Sequence, residues 1–198
     1  NNIKLIWSVA SNILVNQHGN INRTVEILKN PDLLEFIIVQ DNFMTPSAKY
    51  ADLVLPACTQ FETWGVSDGW KYGEEVFLAP KIVDPPFETK SDYAICAGLA
   101  KKFGIYDQFT EGGRDEKDWT AWFIDEIYRK TRFPGMPAFR KFEAGNTGVY
   151  VKPVHNPKVA LTDFTANPEK HPLRTPSGKI EIFSIELFNA GDPAEIPP

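Results

Sequence analysis

Three short apolar runs dominate the first 57 residues: IKLIWSVA (3–10), EFIIVQ (35–40) and DLVLPA (52–57). Each is too short to cross a membrane, and none alternates apolar with polar as a half-exposed strand would. Nearly continuous runs of this length, rich in Ile, Val and Leu, predict strands buried on both faces, the pattern of a parallel sheet. The intervening segments agree. SNILVNQHGN (11–20) is polar and loop-like, and INRTVEILKN (21–30) places Ile21, Val25 and Leu28 at helical spacing until Pro31 stops it. The second run is followed by the loop DNFMTP (41–46) and a short helical turn, SAKYA (47–51).

Strand, helix, strand, short helix, strand is a βαβαβ succession, and such units form parallel sheets with right-handed crossovers. The expected fold class is α/β: a parallel-sheet, Rossmann-like domain with a βαβαβ core, continued by a loop-rich, partly β extension. In open sheets of this kind ligands lie beyond the carboxyl ends of the strands. Asn12 follows the first strand, Asp41 the second and residues 58–65 the third, so the polar exceptions gather on one edge.

Beyond residue 59 the texture changes. WGVSDGWKYGEEVFLAPKIVDPP (64–86) mixes Gly and aromatics with an alternating stretch that predicts a β-hairpin or an extended excursion. SDYAICAGLAKKFGI (91–105) reads as a helix with Ser91 as N-cap, Asp92 in the first turn and Gly104 as stop. A second helix, DEKDWTAWFIDEIYRK (115–130), runs acids first and bases last, with Trp119, Trp122 and Phe123 read as core packing. Residues 131–178 are Pro-rich and weakly periodic, with a short helix expected near 137–143, a strand near 149–152, then a turn at 176–178 and a strand over 179–184. Taken alone, this stretch is expected to be partly disordered, leaving aromatics such as Phe133 and Phe139 exposed and prone to self-association. The chain begins with Asn1 at the lip of a strand, which fits a piece cut from a longer protein.

Composition narrows the function. With 42% hydrophobic and 24% charged residues the chain can build a real core, and a net charge of −5 without a Lys/Arg stripe argues against nucleic acid. The two cysteines, Cys58 and Cys96, form no Cys-x-x-Cys pair, so they read as buried thiols, with a disulfide or a reactive thiol as the other possibilities. His18, His155 and His171 are scattered and lack metal-ligand spacing. Ser11, Asp41 and His18 could be drawn as a catalytic set, but no G-x-S-x-G elbow accompanies them. G-x-G-x-x-G and G-x-x-x-x-G-K-[ST] are also missing. What remains is a nucleotide-like recognition edge without a glycine-rich loop. Asp41 at a strand end could accept two N–H donors of a guanine edge, or ribose hydroxyls, or be a satisfied loop carboxylate. Asn12 and Gln17 each offer donor and acceptor, and Thr45 and Ser47 read as caps of the SAKYA turn or as ligand contacts.

The stretch VQDNFMTPSAKYADLVLPA (39–57) resembles the signature of the molybdopterin oxidoreductases of the dimethyl sulfoxide reductase family. WSVASNILVNQHGNINRTVEIL (7–28) resembles that family's strand–GxNP–helix segment, although Ser11, Asn12 and Ile13 stand where Gly-Asn-Pro is usual. FETWG (61–65) and HPLRTPSGKIEIFS (171–184) are similar to its E-x-x-G block and its hinge into a final barrel domain, and VSDGWKYGEEVFLAPKIVDPP (66–86) points to the anaerobic dimethyl sulfoxide reductase catalytic chain as the nearest branch.

The resemblance implies a molybdenum bis(molybdopterin guanine dinucleotide) cofactor and a parent enzyme that reduces dimethyl sulfoxide or related S- and N-oxides in anaerobic respiration. Formate, nitrate or polysulfide branches are alternatives, as is a non-catalytic binding module of the same fold. Residues 1–130 would be the second of two cofactor-gripping α/β domains, and 131–198 a Pro-rich extension leading toward the barrel. Carried over by position, Asn12, Gln40, Asp41, Thr63 and Asp92 match nucleotide-contacting places, with Gln17 a weaker candidate; Thr63 and Asp92 rest on the resemblance alone. No catalytic residue or metal ligand is expected in this chain, which would be inactive by itself. An iron–sulfur cluster is expected in an upstream region. Expected partners are the rest of the catalytic chain, an iron–sulfur electron-transfer subunit and a membrane anchor subunit. Export by a twin-arginine leader and membrane association on the periplasmic or outer face are also implied.

Overall fold

The computed structural model describes residues 3–17, 19–69, 74–145, 148–152 and 159–191. It contains the expected parallel sheet: β1 (Leu5–Val9), β2 (Phe36–Asp41) and β3 (Leu53–Pro56) lie side by side in that order. The register pairs Val9 with Gln40 and Asp41 with Pro56, so all three strands end at one edge. Helix α1 (Ile21–Leu28) and two single 3-10 turns, Ile13–Val15 and Ala48–Tyr50, make the crossovers. Asp41 is the last residue of β2 rather than the first of the loop.

Strand alternation sorts the side chains of β2. Ile37 and Val39 are fully buried against Leu14, Leu28, Leu34 and Ala48. Ile38 faces the other way, across an apolar cleft of about 560 Å³ bounded by Trp7 and Leu53 of the sheet and by Ile95 and Leu99 of α2 (Asp92–Lys102). The expectation of strands buried on both faces is met only at the centre of the sheet. β1 and β3 are edges, and Leu5, Val9 and Leu53 remain 52%, 45% and 42% exposed.

Ser91 caps α2 as expected, accepting a bond from the Ala94 amide at 3.0 Å, and Gly104 ends it at φ +73°. The buried face of α2 is built from Ala97 and Ala100, while Phe103 is exposed. A short helix, α3 (Tyr106–Thr110), leads to α4 (Glu116–Trp122), whose start is closed by a reciprocal capping box between Asp115 and Asp118. The helix then widens into a π-helical segment, Phe123–Arg132, and the Phe133 amide still reaches back five residues to the Tyr128 carbonyl.

The predicted hairpin is present as β4 (Gly65–Asp68) and β5 (Glu75–Ala79), and β6 (Val149–Val151) adds a third antiparallel strand against β5. Gly148 admits that strand: a Cβ there would sit 3.1 Å from the Leu78 carbonyl oxygen. Behind this sheet lies a second core of Val76, Leu78, Ile124, Phe133, Met136, Phe139 and Phe142, closed by α5 (Phe139–Ala144). Phe133 and Phe139, expected to be exposed, are 0% and 5% accessible. The reason is the antiparallel sheet: Val76 and Leu78 of β5 share one core with these rings, and Trp64, Val66 and Tyr128 pack against it.

Compactness divides the chain into one unit of Asn1–Gln17 with Asn22–Pro153, and another of His18–Ile21 with Val154–Pro198. The second carries α6 (Thr162–Ala166), α7 (Ile185–Ala190) and the predicted turn, where Gly178 at φ +70° donates to the Thr175 carbonyl. The strand expected over 179–184 is absent. Its polar groups close local turns instead, with the Ser177 amide donating to Glu181 and the Thr175 hydroxyl to the Lys179 carbonyl. No helix among the described residues is long and apolar enough to cross a membrane.

Candidate functional site

Asn12, Asp41, Thr45 and Ser47, and Gln40, Thr63 and Asp92, form two clusters at the carboxyl edge of the parallel sheet, one on each face. The first lies on the side of α1. Asn12 Oδ1 accepts the Ser47 amide at 2.9 Å, which ties the loop after β1 to the turn after β2. Thr45 Oγ1 accepts the Ala48 amide at 3.2 Å, so Thr45 is a cap of that turn. Ser47 is not a side-chain cap, and its hydroxyl is buried without a partner. Asp41 is held by its own chain: Oδ1 accepts the Phe43 amide at 3.1 Å and its carbonyl accepts the Ala57 amide. This small Asx turn fixes the carboxylate at the strand end.

The second cluster lies on the side of α2. Gln40, only 1% exposed, points opposite to Asp41 and donates from Nε2 to Asp92 Oδ1 at 2.5 Å. The amide orientation follows from chemistry, because its oxygen could not face a carboxylate. Gln40 Oε1 is buried and unpartnered. Beyond Asp92, a cavity of about 280 Å³ is lined by Cys58, Thr63, Trp64, Ser91, Asp92, Tyr93, Glu116, Trp119 and Thr120. Thr63 donates its hydroxyl to Glu116 Oε2 at 2.7 Å, whereas Glu116 Oε1 is buried with no partner. A neighbouring cavity of about 570 Å³ shares Trp64, Tyr93 and Glu116 and carries the cations Lys81, Lys101, Arg114 and Lys117. The second cavity is thus lined by both signs of charge, with Asp115 and Glu116 beside the cations, and Lys81, Arg114 and Lys117 are ion-paired with Asp84, Glu111 and Glu143.

Burial pushes the Cys58 thiol above its usual range, and the carboxylates of Glu62, Glu116 and Asp92 push it further. Cys96 is raised by burial and by Asp92. Both cysteines are free thiols, as expected, but each is only partly buried rather than buried, and their raised pKa values make them weak nucleophiles. Among the described residues no group of three or more His, Cys, Asp or Glu could hold a metal.

Thr63 and Asp92 line one cavity, and Gln40 is bonded to Asp92. Asn12 and Asp41 occupy the other face of the same edge. Gln17 lies in an exposed bend after the Ile13–Val15 turn. His18 and His155 lie outside the described residues, and His171 belongs to the second unit. Sequence reasoning missed Glu116, Tyr93 and Trp119. Glu116 reads as a first-turn helix acid, and its pairing with Thr63 across 53 residues leaves no local signal.

Comparison with known proteins gives consistent results. A family profile described as Molybdopterin oxidoreductase matches residues 1–102. The chain is 43% identical over 190 residues to "Dimethyl sulfoxide reductase DmsA" of Haemophilus influenzae, covering 93% of this chain and 23% of the relative. It is 39% identical to the protein of the same name from Escherichia coli, covering 98% of this chain and 24% of that one. Among solved structures it is similar to "Acetylene Hydratase from Pelobacter acetylenicus", with a TM-score of 0.55 and 25% identity over 95% of this chain and 23% of that one. The chain thus spans about a quarter of the length of the proteins it matches.

Proposed function

The chain belongs to the molybdopterin oxidoreductase family, and from that premise we propose that it grips the guanine nucleotide end of one molybdopterin guanine dinucleotide. The enzyme in which it serves would hold two such cofactors on molybdenum and reduce dimethyl sulfoxide or related S- and N-oxides in anaerobic respiration. When bound, the group supplies the metal at which an oxide oxygen is removed and an electron pair delivered. These 198 residues supply grip and scaffold and do not catalyse alone.

One observation carries this reading. Two buried polar oxygens, on Gln40 and Glu116, lie without partners on the α2 side of the carboxyl edge of the sheet. Buried polar groups are nearly always paired, so an edge rich in orphaned acceptors suits a ligand rich in N–H and O–H donors. A guanine amide edge and ribose hydroxyls are such donors. The cations Lys81, Lys101, Arg114 and Lys117 next door suit the phosphates of the same ligand. Asn12 already spends its oxygen on Ser47 and would contribute only its N–H donors. Gln40 supports Asp92 from behind. The proposed partners are the remainder of the catalytic polypeptide, an iron–sulfur electron-transfer subunit and a membrane anchor subunit. The proposal extends to an upstream iron–sulfur cluster and to export through a twin-arginine leader.

The test is Asp41→Ala in the full-length enzyme that carries this segment. Molybdenum content and guanine nucleotide released on acid treatment are expected to fall together. Full cofactor occupancy with unchanged sulfoxide reduction would overturn the assignment of Asp41, and formate oxidation without sulfoxide reduction would overturn the substrate class.

A further inference from the structure

Parallel sheets occur almost only with both faces covered, because their strands carry apolar side chains on each. The sheet of β1, β2 and β3 meets that condition on one face. Ile37 and Val39 are buried there beneath α1 and the Ala48–Tyr50 turn. On the other face α2 stands across a cleft from Ile38, Leu53 and Leu55. Toward β1 the cover is thin: Leu5, Val9 and Phe36, which share that face by register, are 52%, 45% and 40% exposed.

The two outer edges of the sheet differ as well. Just past the end of β3, Ala57 forms a parallel bridge with Lys90, whose amide donates to the Pro56 carbonyl and whose carbonyl accepts the Cys58 amide. β1 pairs with β2 alone among the described residues. The Phe36 amide donates to the Lys4 carbonyl and the Ala10 amide to the Gln40 carbonyl. With the two-residue period of a ladder, the even-numbered residues of β1 therefore bond β2. The amides and carbonyls of Leu5, Trp7 and Val9 point outward. Exposed edges are normally blunted by a charge, a proline or a bulge, and LIWSV has none of these. β1 is built as an interior strand.

Handedness says what belongs beside it. Right-handed crossovers carry the chain from β1 to β2 and on to β3 along the face of Ile37 and Val39. On the opposite face the same handedness runs the other way, so a crossover on the α2 side delivers its strand to the far edge, next to β1. We propose that a parallel strand from the remainder of the polypeptide lies along the outer edge of β1, and that the helix of its crossover covers Leu5, Val9 and Phe36. Chain is available for it, since these residues cover only 23% and 24% of the two reductase relatives. A second copy meeting β1 across a twofold axis would run antiparallel and bring no crossover helix. The proposal is independent of the nucleotide-grip reading.

The experiment places Leu5→Cys in the full-length protein that carries this segment. Alkylation of that thiol is read by peptide mass spectrometry against the same protein unfolded in guanidinium. Covered, the thiol should react roughly a hundredfold more slowly than unfolded, at low and at high protein concentration alike. Hydrogen exchange on the unsubstituted full-length protein gives a second measurement that does not depend on the variant folding. The Trp7 and Val9 amides should be as protected as those of Ile6 and Ser8. Alkylation as fast as in the unfolded protein would overturn the proposal. Protection that appears only at high concentration would give the edge to a second copy, and protection that needs an added subunit would give it to that subunit; either result overturns the assignment. A slow thiol beside fast-exchanging Trp7 and Val9 amides would strike out the added strand.

Discussion

The two sheets of the first unit solve the same burial problem in opposite ways. The antiparallel sheet is sealed by packing: Val76, Ile124 and Phe133 are completely buried, and the aromatic rings of Tyr128, Phe133 and Tyr150 meet edge to face at 5.6 and 6.2 Å. The parallel sheet seals only one face well. Its other face opens on an apolar cleft, its edge strands leave Leu5 and Leu53 half exposed, and unpartnered polar oxygens cluster near its carboxyl ends. One region uses its side chains to hold itself together, and the other keeps several of them available. That difference separates a closed scaffold from the candidate site within one compact unit.

The contrast predicts unequal sensitivity to truncation. Phe133→Ala should cost about 3–5 kcal/mol, the range for emptying a large aromatic site in a closed core. Leu53→Ala should cost roughly 1 kcal/mol, because much of that side chain already meets water. Urea midpoints of the two variants against the wild type decide the matter. Equal losses would mean that the parallel sheet is as tightly closed as the antiparallel one.

A smaller effect probes how the parallel edge is held without dense packing. Asn12→Ala removes the acceptor for the Ser47 amide, leaving a part-buried donor unpaired at a cost of about 1–3 kcal/mol. Asn12→Asp keeps an oxygen there and should recover most of the loss. Hydrogen exchange supplies a local check: the Ser47 amide should lose protection in the alanine variant, while amides of β5 keep theirs. Loss of protection in both sheets together would show that the two regions share one cooperative lock.

The same contrast explains what could be read from the sequence. The parallel half was legible because its signals are local. FIIVQD is a strand by composition alone, Pro31 ends α1, and Asp41 at the strand end marks the carboxyl edge by topology. The antiparallel half depends on partners far apart in sequence. β6 pairs with β5 across more than sixty residues, and Phe133 is buried only because β5 presents an apolar face to it. Nothing in RFPGMPAF announces that. The site divides likewise. Asn12 and Asp41 follow from strand ends, whereas the bonds of Gln40 to Asp92 and of Thr63 to Glu116 span 52 and 53 residues, which hid Glu116 as a lining residue.

The effect confined to the narrowest range of conditions lies at alkaline pH, where polar groups of the antiparallel region serve stability rather than a ligand. Burial, together with a hydrogen bond to Asp68 and the negative charge of that carboxylate, pushes the Tyr128 phenol from its ordinary 10.0 to about 12, with Arg132 opposing the shift. Arg132 itself is ion-paired with Asp68. The folded chain therefore holds the phenolic proton more tightly than the unfolded chain does. Below pH 10 the stabilisation from this group is fully present, and it is lost as pH rises from about 10 to about 12, because the unfolded state ionises first. Tyr128→Phe has no proton to lose, so the gap in stability between wild type and variant should narrow over that window and stay constant below it. Urea titrations at stepped pH measure the gap. A gap that widens with rising pH would mean that the phenolate is favoured in the fold and that Arg132, not Asp68, governs the ring.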